Sequence, residues 1–367
     1  MEIPQSSYIK SDLQMMRWNI NLPFTYFKGL LTVNHPPVEG TYKLGFGKGV
    51  VKKPDDKLIR QMCDYIKKDI DKETYYNITE HSDIIDYLKT DRHFAVEQYM
   101  WDMFSRPLMD HITQGRIYYD MLQENKDDIQ KNAGFSIYDK LFTLLESVGL
   151  IPTFSPEEYV QNNNYNRFYI IPVDRYIEKL SEHLQADITA PKYAGDLFGI
   201  ETEKYGLYSD RDFMCLGVAI RIAEKYWNRK DISIIDIGGG AGHLTYYLHK
   251  LGFTNLTTLD VPSVNAGAMH FLGSNLPDNN IKFLSPHDFT GKYDLVINVD
   301  GLTLLDIGKA REYMSRMERD GTRHFYSVNR EVDSFTIGQI CPLSRVSRTP
   351  FWHRRGYVEE DYFGGLK

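Results

Sequence analysis

Cysteine is scarce in this sequence: Cys63, Cys215 and Cys341 are its only three in 367 residues. An odd number spread along the chain makes neither a disulfide set nor a metal-ligand spacing, so buried thiols are the better reading. Long apolar runs are missing too. None approaches the ~20 residues that a membrane-spanning helix needs, and the start of the chain, with Glu2 among mixed polar residues, lacks the basic-then-apolar pattern of a secretory leader. A cytoplasmic location without a membrane span is therefore expected. Positive charge is in deficit, 43 Lys and Arg against 50 Asp and Glu for a net −7, which argues against nucleic acid as the partner of the whole chain. No internal repeat or low-complexity tract interrupts it. At this length two structural units are the natural expectation, and the sequence leaves room for a homo-oligomer.

What is present is concentrated in Ile232-Ser-Ile-Ile-Asp-Ile-Gly-Gly-Gly-Ala-Gly-His243. The β-branched run Ile232 to Ile237 suits a parallel strand buried on both faces, and the helical spacing from Leu244 to Leu251 follows it directly. The glycines Gly238, Gly240 and Gly242 then sit in a strand-to-helix turn. Such a turn needs positive φ and lets a ligand approach the backbone. A dinucleotide fingerprint anchored on Gly238 and Gly240 would require a small residue at position 243, which is His. The other frame, Asp236-x-Gly238-x-Gly240-x-Gly242, resembles the first motif of class I S-adenosylmethionine-dependent methyltransferases. Its acid, Asp236, suits a ligand with an ammonium group and no phosphates. A tight turn in some other α/β protein is the alternative, and it leaves the acids and strand order as coincidences.

Those further features follow in order. Leu256 to Leu259 reads as a second strand ending in Asp260, placed to accept hydrogen bonds from both ribose hydroxyls, although an acid at a strand end also serves as a helix cap. Ile281 to Leu284 reads as a third strand followed by His287-Asp288. Tyr293-Asp-Leu-Val-Ile-Asn-Val-Asp300 reads as a fourth, and His324 to Val328 as a fifth, reached through the amphipathic segment Ile307 to Met317. Strands alternating with helices at this spacing imply an α/β fold, a doubly wound, mostly parallel Rossmann-like sheet. In the methyltransferase class, the residue matching Asp288 lies near the adenine; a plain turn residue is the alternative there. His243 opens the helix beside the glycines and is expected to shape the cofactor pocket.

The chain before this sheet reads as mainly helical after an irregular start. Pro23, Pro36, Pro37 and Pro54 with four glycines from Gly40 to Gly49 favour turns and short extended pieces. Gly45-Phe-Gly-Lys-Gly49 lacks the Gly-Lys-Ser/Thr ending of a phosphate loop, so a hairpin or loop is expected. Leu58, Met62, Ile66 and Ile70, and later Ile137, Leu141, Leu144 and Leu145, have helical spacing and read as core stripes. Pro152 to Asn166 reads as a connecting loop. The expected organisation is a helical accessory, acceptor-binding region over 1–204 and a methyltransferase domain over 205–367.

A narrower resemblance rests on the Tyr205 to Tyr226 approach helix, Asp236-Ile-Gly-Gly-Gly-Ala-Gly242, Leu259-Asp-Val-Pro262, Val296-Ile-Asn-Val-Asp300 and Tyr326-Ser-Val-Asn-Arg330. Together these are similar to the sugar O-methyltransferase family of surface-glycan clusters, over about the last 165 residues. The resemblance implies S-adenosylmethionine as cofactor and a sugar or glycan acceptor, nucleotide- or lipid-linked among the choices. After the fourth strand the family often shows Ser-x-x-Glu-Met, where this chain has Gly301-Leu-Thr-Leu-Leu305.

In an open parallel sheet the ligand lies beyond the carboxyl ends of the strands. Methyl transfer to a hydroxyl is an in-line displacement that a general base assists, and this placement makes Asp300 the first candidate base and Glu331 the second. Asp300 as a helix cap is an equal alternative. Asn329 and Arg330, with Tyr165, Arg167 and Tyr208 from the approach to the sheet, are the candidate acceptor contacts; for any single tyrosine, ordinary packing is the simpler reading. His324 begins its strand and faces the opposite end of the sheet, and His270 reads as packed. Arg345, Arg348, Arg354 and Arg355 among aromatics read either as a solvated surface or as a clamp for an acceptor phosphate. No pair of His or acids has convincing metal spacing, so no metal is expected.

Overall fold

The computed structural model describes residues 43–49, 54, 56–69, 82–110, 112–124, 128–153, 171–331, 334–354 and 356–365. Lys43–Pro152 and Asp174–Lys367 form one compact unit. The other unit, Met1–Tyr42 with Thr153–Val173, contributes only a few described residues, and the expected Pro152 to Asn166 loop lies almost wholly outside them.

Seven strands form the main sheet: β4 (Ile234–Ile237), β5 (Leu256–Leu259), β6 (Lys282–Leu284), β7 (Leu295–Val299), β8 (His324–Arg330), β9 (Ser344–Pro350) and β10 (Tyr357–Phe363). Their order is β6-β5-β4-β7-β8-β10-β9. The five strands from β6 to β8 are parallel, and β10 runs antiparallel to both of its neighbours. This is the doubly wound, mostly parallel Rossmann-like sheet that the alternation predicts. The order reverses beside β4, at the glycine turn, which is where a ligand crevice opens in such sheets.

Alternate residues of each strand face opposite layers. Leu259, Val296, Phe325 and Tyr362 pack with Tyr313, Met314 and Met317 of α10 (Ile307–Asp320). Their neighbours turn to the other face, which carries α7 (Asp210–Lys225) and α8 (His243–Lys250). There Thr258 meets Thr245 at 2.9 Å, and Asp361 accepts from Lys225 at 2.8 Å. Asp361 also pairs with His324 at 2.8 Å and Ser347 at 2.7 Å, so His324 closes the end of the sheet remote from the glycines, as its position in the strand requires.

The accessory region is helical: α1 (Asp56–Asp69), α2 (Ser82–Lys89), α3 (His93–Trp101), α4 (Gly115–Glu124), α5 (Asp128–Ser147) and α6 (Val173–Leu184). Of the expected stripes, Met62, Ile66, Ile137, Leu141, Leu144 and Leu145 are buried and Leu58 is half-buried, while Ile70 lies outside the described residues. A three-stranded antiparallel sheet accompanies them, β1 (Lys43–Gly49), β2 (Gly195–Glu201) and β3 (Leu207–Tyr208). The glycine-rich segment expected as a hairpin or loop is thus a single strand paired with a distant one, since pairing from Lys43↔Glu201 to Gly49↔Gly195 supplies backbone bonds that its own propensity does not favour. The accessory helices share their packing with the main sheet domain. Tyr65 of α1 reaches Ser285 at 2.9 Å and Asn265 at 2.8 Å, the latter on α9 (Pro262–Asn275).

Candidate active site

The end of β4 carries the least ordinary carboxylate in the described structure. Asp236 is buried, and none of the described residues donates a hydrogen bond to it. Burial, with the Asp260 carboxylate beside it, pushes its pKa up to about 8. Buried acids are normally paired, so one without a donor among the described residues, beneath a glycine turn, fits an incoming cation. The turn above it has positive φ at Gly238 (71°), Gly240 (55°) and Gly242 (93°). A β-carbon on Gly239 would lie 2.9 Å from the Thr258 hydroxyl and 3.3 Å from Asp236 Oδ2. Asp260, ending β5, accepts from the backbone N–H of Gly240 and of Val261, each at 2.8 Å, and burial raises its pKa to about 6. Each of its oxygens retains a second lone pair for hydroxyl donors.

His243 opens α8 inside an aromatic cluster. Phe104, Tyr193 and Phe271 surround its ring at centroid distances of 5.9, 5.7 and 4.9 Å, and Nε2 is buried without a partner. Burial, and then the Arg211 charge, lower its pKa to about 3, so the ring is neutral. Ile112 comes over the same turn, with its Cγ2 2.9 Å from where a β-carbon on Gly240 would stand. Asp288 follows β6 in a short 3-10 turn, Pro286–Asp288, with His287 Nε2 3.6 Å away.

Beyond β7 and β8 the expected acceptor residues separate into two groups. Asp300 takes a left-handed backbone (φ 57°), which a short polar side chain tolerates better than most. Its Oδ2 accepts from Tyr357 OH at 2.8 Å and Arg354 Nη1 at 3.4 Å, Arg330 Nε lies 3.3 Å from Oδ1, and Oδ1 is buried without an aligned donor. Glu331 is paired with Arg348 at 2.5 Å. Asn329 belongs to the second group: its amide donates to Asn298 (2.8 Å) and Ser327 (2.9 Å) and accepts from Thr303 (3.3 Å), all buried. It braces the strand ends, where the sequence had suggested an acceptor contact. Tyr208 is corrected likewise. It is fully buried, donates to Ile188 O at 2.8 Å and stacks on Phe213, because β3 seats it in the core between β2 and α7. Tyr165 and Arg167 lie outside the described residues, as does Arg355.

The C-terminal arginines divide as well. Arg345 pairs with Glu360 and Arg348 with Glu331 and Glu360, on β9 and β10. Arg354 comes to Asp300 at the strand ends, because β10 begins opposite Arg330 and the β9–β10 turn therefore lies over the carboxyl edge of β8. Its guanidinium lies 4.2 Å from the Tyr357 ring centroid. It also lines a cavity of about 450 Å³ with Thr113, Tyr118, Lys140, Ser209, Asp210 and Arg211. Arg211 and Lys140 had no motif to announce them. They come from α7 and α5, and only the packing of these helices brings them beside Arg354.

One group of metal-capable side chains is present among the described residues: Cys63, Asp91 and His93, with their ligand atoms within 4.8 Å of one another. The sequence spacing concealed it, since α1 and the start of α3 converge only in the fold. Lys67 already pairs with Asp91 there.

Comparison with known proteins gives fold-level likenesses alone. No protein-family model and no curated protein matches the sequence. Among solved structures, the magnesium protoporphyrin IX methyltransferase ChlM from Synechocystis PCC 6803, with bound SAM, is 17% identical at a TM-score of 0.35, the match covering 42% of this chain and 81% of that one. The glycopeptide N-methyltransferase MtfA, complexed with sinefungin, is 13% identical at 0.33, covering 41% and 93%. A SAM-dependent methyltransferase from Aquifex aeolicus is 15% identical at 0.31, covering 40% and 88%. The class of fold rests on this chain's own strand order and crossovers.

Proposed function

We propose that this protein is a methyltransferase that uses S-adenosylmethionine to methylate a hydroxyl, on a sugar of a glycan or of its activated precursor. One observation carries the cofactor: Asp236, a buried carboxylate to which no described residue donates a hydrogen bond, lies under a turn with a left-handed backbone at Gly238, Gly240 and Gly242. Its charge would hold the cofactor's ammonium group, Asp260 the ribose hydroxyls and the turn from Asp288 the adenine, while His243 closes the pocket as a neutral packed ring. Bound there, the cofactor supplies an electrophilic methyl group on a sulfonium.

The chain's residues have three tasks. They align the acceptor oxygen in line with the methyl–sulfur bond, exclude water, and take the hydroxyl proton as the oxygen–carbon bond forms and the carbon–sulfur pair returns to sulfur. Asp300 Oδ1 is our candidate for that proton, being buried, without an aligned donor and at the carboxyl edge. Arg330 and Tyr357 position it. Glu331 is a second candidate only if Arg348 releases it. Within the main unit the helices α4 and α5 of the accessory region would form the acceptor side, with the catalytic sheet following from residue 205 and a cytoplasmic location as part of the same reading.

Titration calorimetry with S-adenosylmethionine, followed by turnover with sugar and nonsugar hydroxyl acceptors, tests the reading. Micromolar cofactor binding with turnover on sugars supports it; absence of cofactor binding refutes the enzyme, and turnover confined to nonsugar acceptors refutes the sugar.

A further inference from the structure

We propose that the cavity between α4, α5 and the start of α7 binds a phosphoryl group of the acceptor, through Arg211, Arg354 and Lys140 together with the N-terminus of α7. This deepens the methyltransferase reading and rests on it, since it names the class of acceptor at the same site. Among the described residues, the cavity, of about 450 Å³, is lined by three cations and one carboxylate, Asp210. Asp210 is already paired with Lys140, whose side chain is only 12% exposed. Arg354 is shared with Asp300 behind it. Arg211 is the informative residue: half-buried, it makes no hydrogen bond or ion pair with any described residue. Ordering a guanidinium beside other cations is costly unless an anion completes the group.

Independent features converge on that anion. Ser209 caps α7, so the first N–H groups of a 16-residue helix lie beside the cavity wall, where a negative group is favoured. Thr113, also on the wall, carries a buried hydroxyl without a partner. The cavity adjoins the methyl-donor side: Thr113 follows Ile112, which covers Gly240, and Arg354 bridges to Asp300. A phosphoryl group held here leaves an attached sugar close to Asp300. Three cations on separate elements match the several oxygens of a phosphate or diphosphate better than one carboxylate.

The test uses the full chain and three probes, pyrophosphate, glucose 1-phosphate and UDP-glucose, with glucose as the neutral control. Titration calorimetry at low salt is expected to show binding of phosphorylated probes and none of glucose. Arg211→Gln and Arg354→Gln should each weaken binding about tenfold or more, with Arg211→Lys recovering part of it. Preference for UDP-glucose over glucose 1-phosphate would assign a diphosphate, and the reverse a monophosphate. Equal affinity in the wild type and in the Arg211→Gln/Arg354→Gln double variant, or no binding to the wild type, overturns the proposal. S-adenosylmethionine affinity in the same variants separates the two readings. If it is retained while phosphate discrimination is absent, the subsite alone fails; if the protein never binds cofactor yet discriminates phosphate, the methyltransferase reading fails.

Discussion

Replacing Asp236 by Asn changes stability and cofactor binding in opposite directions, and the magnitudes follow from the burial of this one group. Its pKa rises from an ordinary 3.8 to about 8, chiefly by desolvation and then by the Asp260 charge. An acid with a raised folded pKa favours the fold fully below its unfolded value, and that contribution is lost as pH rises from 3.8 through about 8. At ~1.4 kcal/mol per unit the loss approaches roughly 6 kcal/mol above pH 8 as an upper bound. An Asn also needs partners, so a net gain of about 2–3 kcal/mol for Asp236→Asn at pH 8 is the realistic expectation, vanishing near pH 4. Cofactor affinity moves the other way. A charge-assisted bond to an ammonium contributes about 1.5–3 kcal/mol, so the variant should bind S-adenosylmethionine ~10–150-fold more weakly. Because burial keeps the wild-type carboxyl largely protonated at pH 7, binding of the ammonium should release a proton. Calorimetry in buffers of different ionisation enthalpy reads that proton, and thermal melts at pH 4 and 8 read the stability. A variant that binds the cofactor within threefold of wild type and melts no higher at pH 8 would refute the assignment of Asp236 to the ammonium.

Four further substitutions probe separate parts of the structure. Gly240→Ala places a β-carbon 2.9 Å from Ile112 at φ 55°, and should cost ~1–2 kcal/mol and weaken cofactor binding severalfold; Gly252→Ala, at φ 94° with only an ordinary 4.0 Å contact to Lys230 Cγ, should cost a comparable backbone strain with no change in cofactor Kd. Asp361→Asn should cost about 3–5 kcal/mol in chemical denaturation, since it leaves Lys225 and His324 without their shared partner. Although burial opposes it, hydrogen bonds from His324, Lys225 and Ser347 hold the Asp361 pKa well below the usual carboxylate range, so this stabilisation is present above 3.8 and lost on acidification; the variant's acid-unfolding curve should therefore be shallower than that of wild type. Tyr208→Phe should lose about 1 kcal/mol with the bond to Ile188 and leave the acceptor KM unchanged, and a raised KM would return Tyr208 to the acceptor site.

The sheet was legible because its signals are local. Leu256 to Leu259 is β5 without adjustment, His324 begins β8, and Asp236, Gly238, Gly240 and Gly242 occupy one strand-to-helix turn within seven residues. Period, glycine and acid all speak within a single element there. The β9–β10 hairpin was not legible. Its residues read as an arginine-rich patch because three consecutive acids, Glu359, Glu360 and Asp361, are buried on β10 only through partners on α7, β8 and β9. Polar strand residues conceal a strand whenever their partners are distant in sequence. The same reason hid β1, whose glycines acquire their bonds from β2 about 150 residues away.

The acceptor side shows the limit most sharply. Type and position put Asn329, Arg330, Asp300 and Glu331 at one sheet edge, and they do lie at the ends of β7 and β8. Which of them faces a ligand depends on what each meets across the fold. Asn298, Ser327 and Thr303 engage the Asn329 amide, Arg348 pairs with Glu331, and Tyr357 with Arg354 holds only one oxygen of Asp300. The cations facing the cavity come from α5, α7 and a hairpin turn, three segments spread over more than 200 residues. A cofactor site built on one turn can be read from a short stretch of chain, because backbone geometry makes most of it. An acceptor site made by side chains from separate layers exists only after those layers pack, and its chemistry is set by which charges packing leaves unpaired.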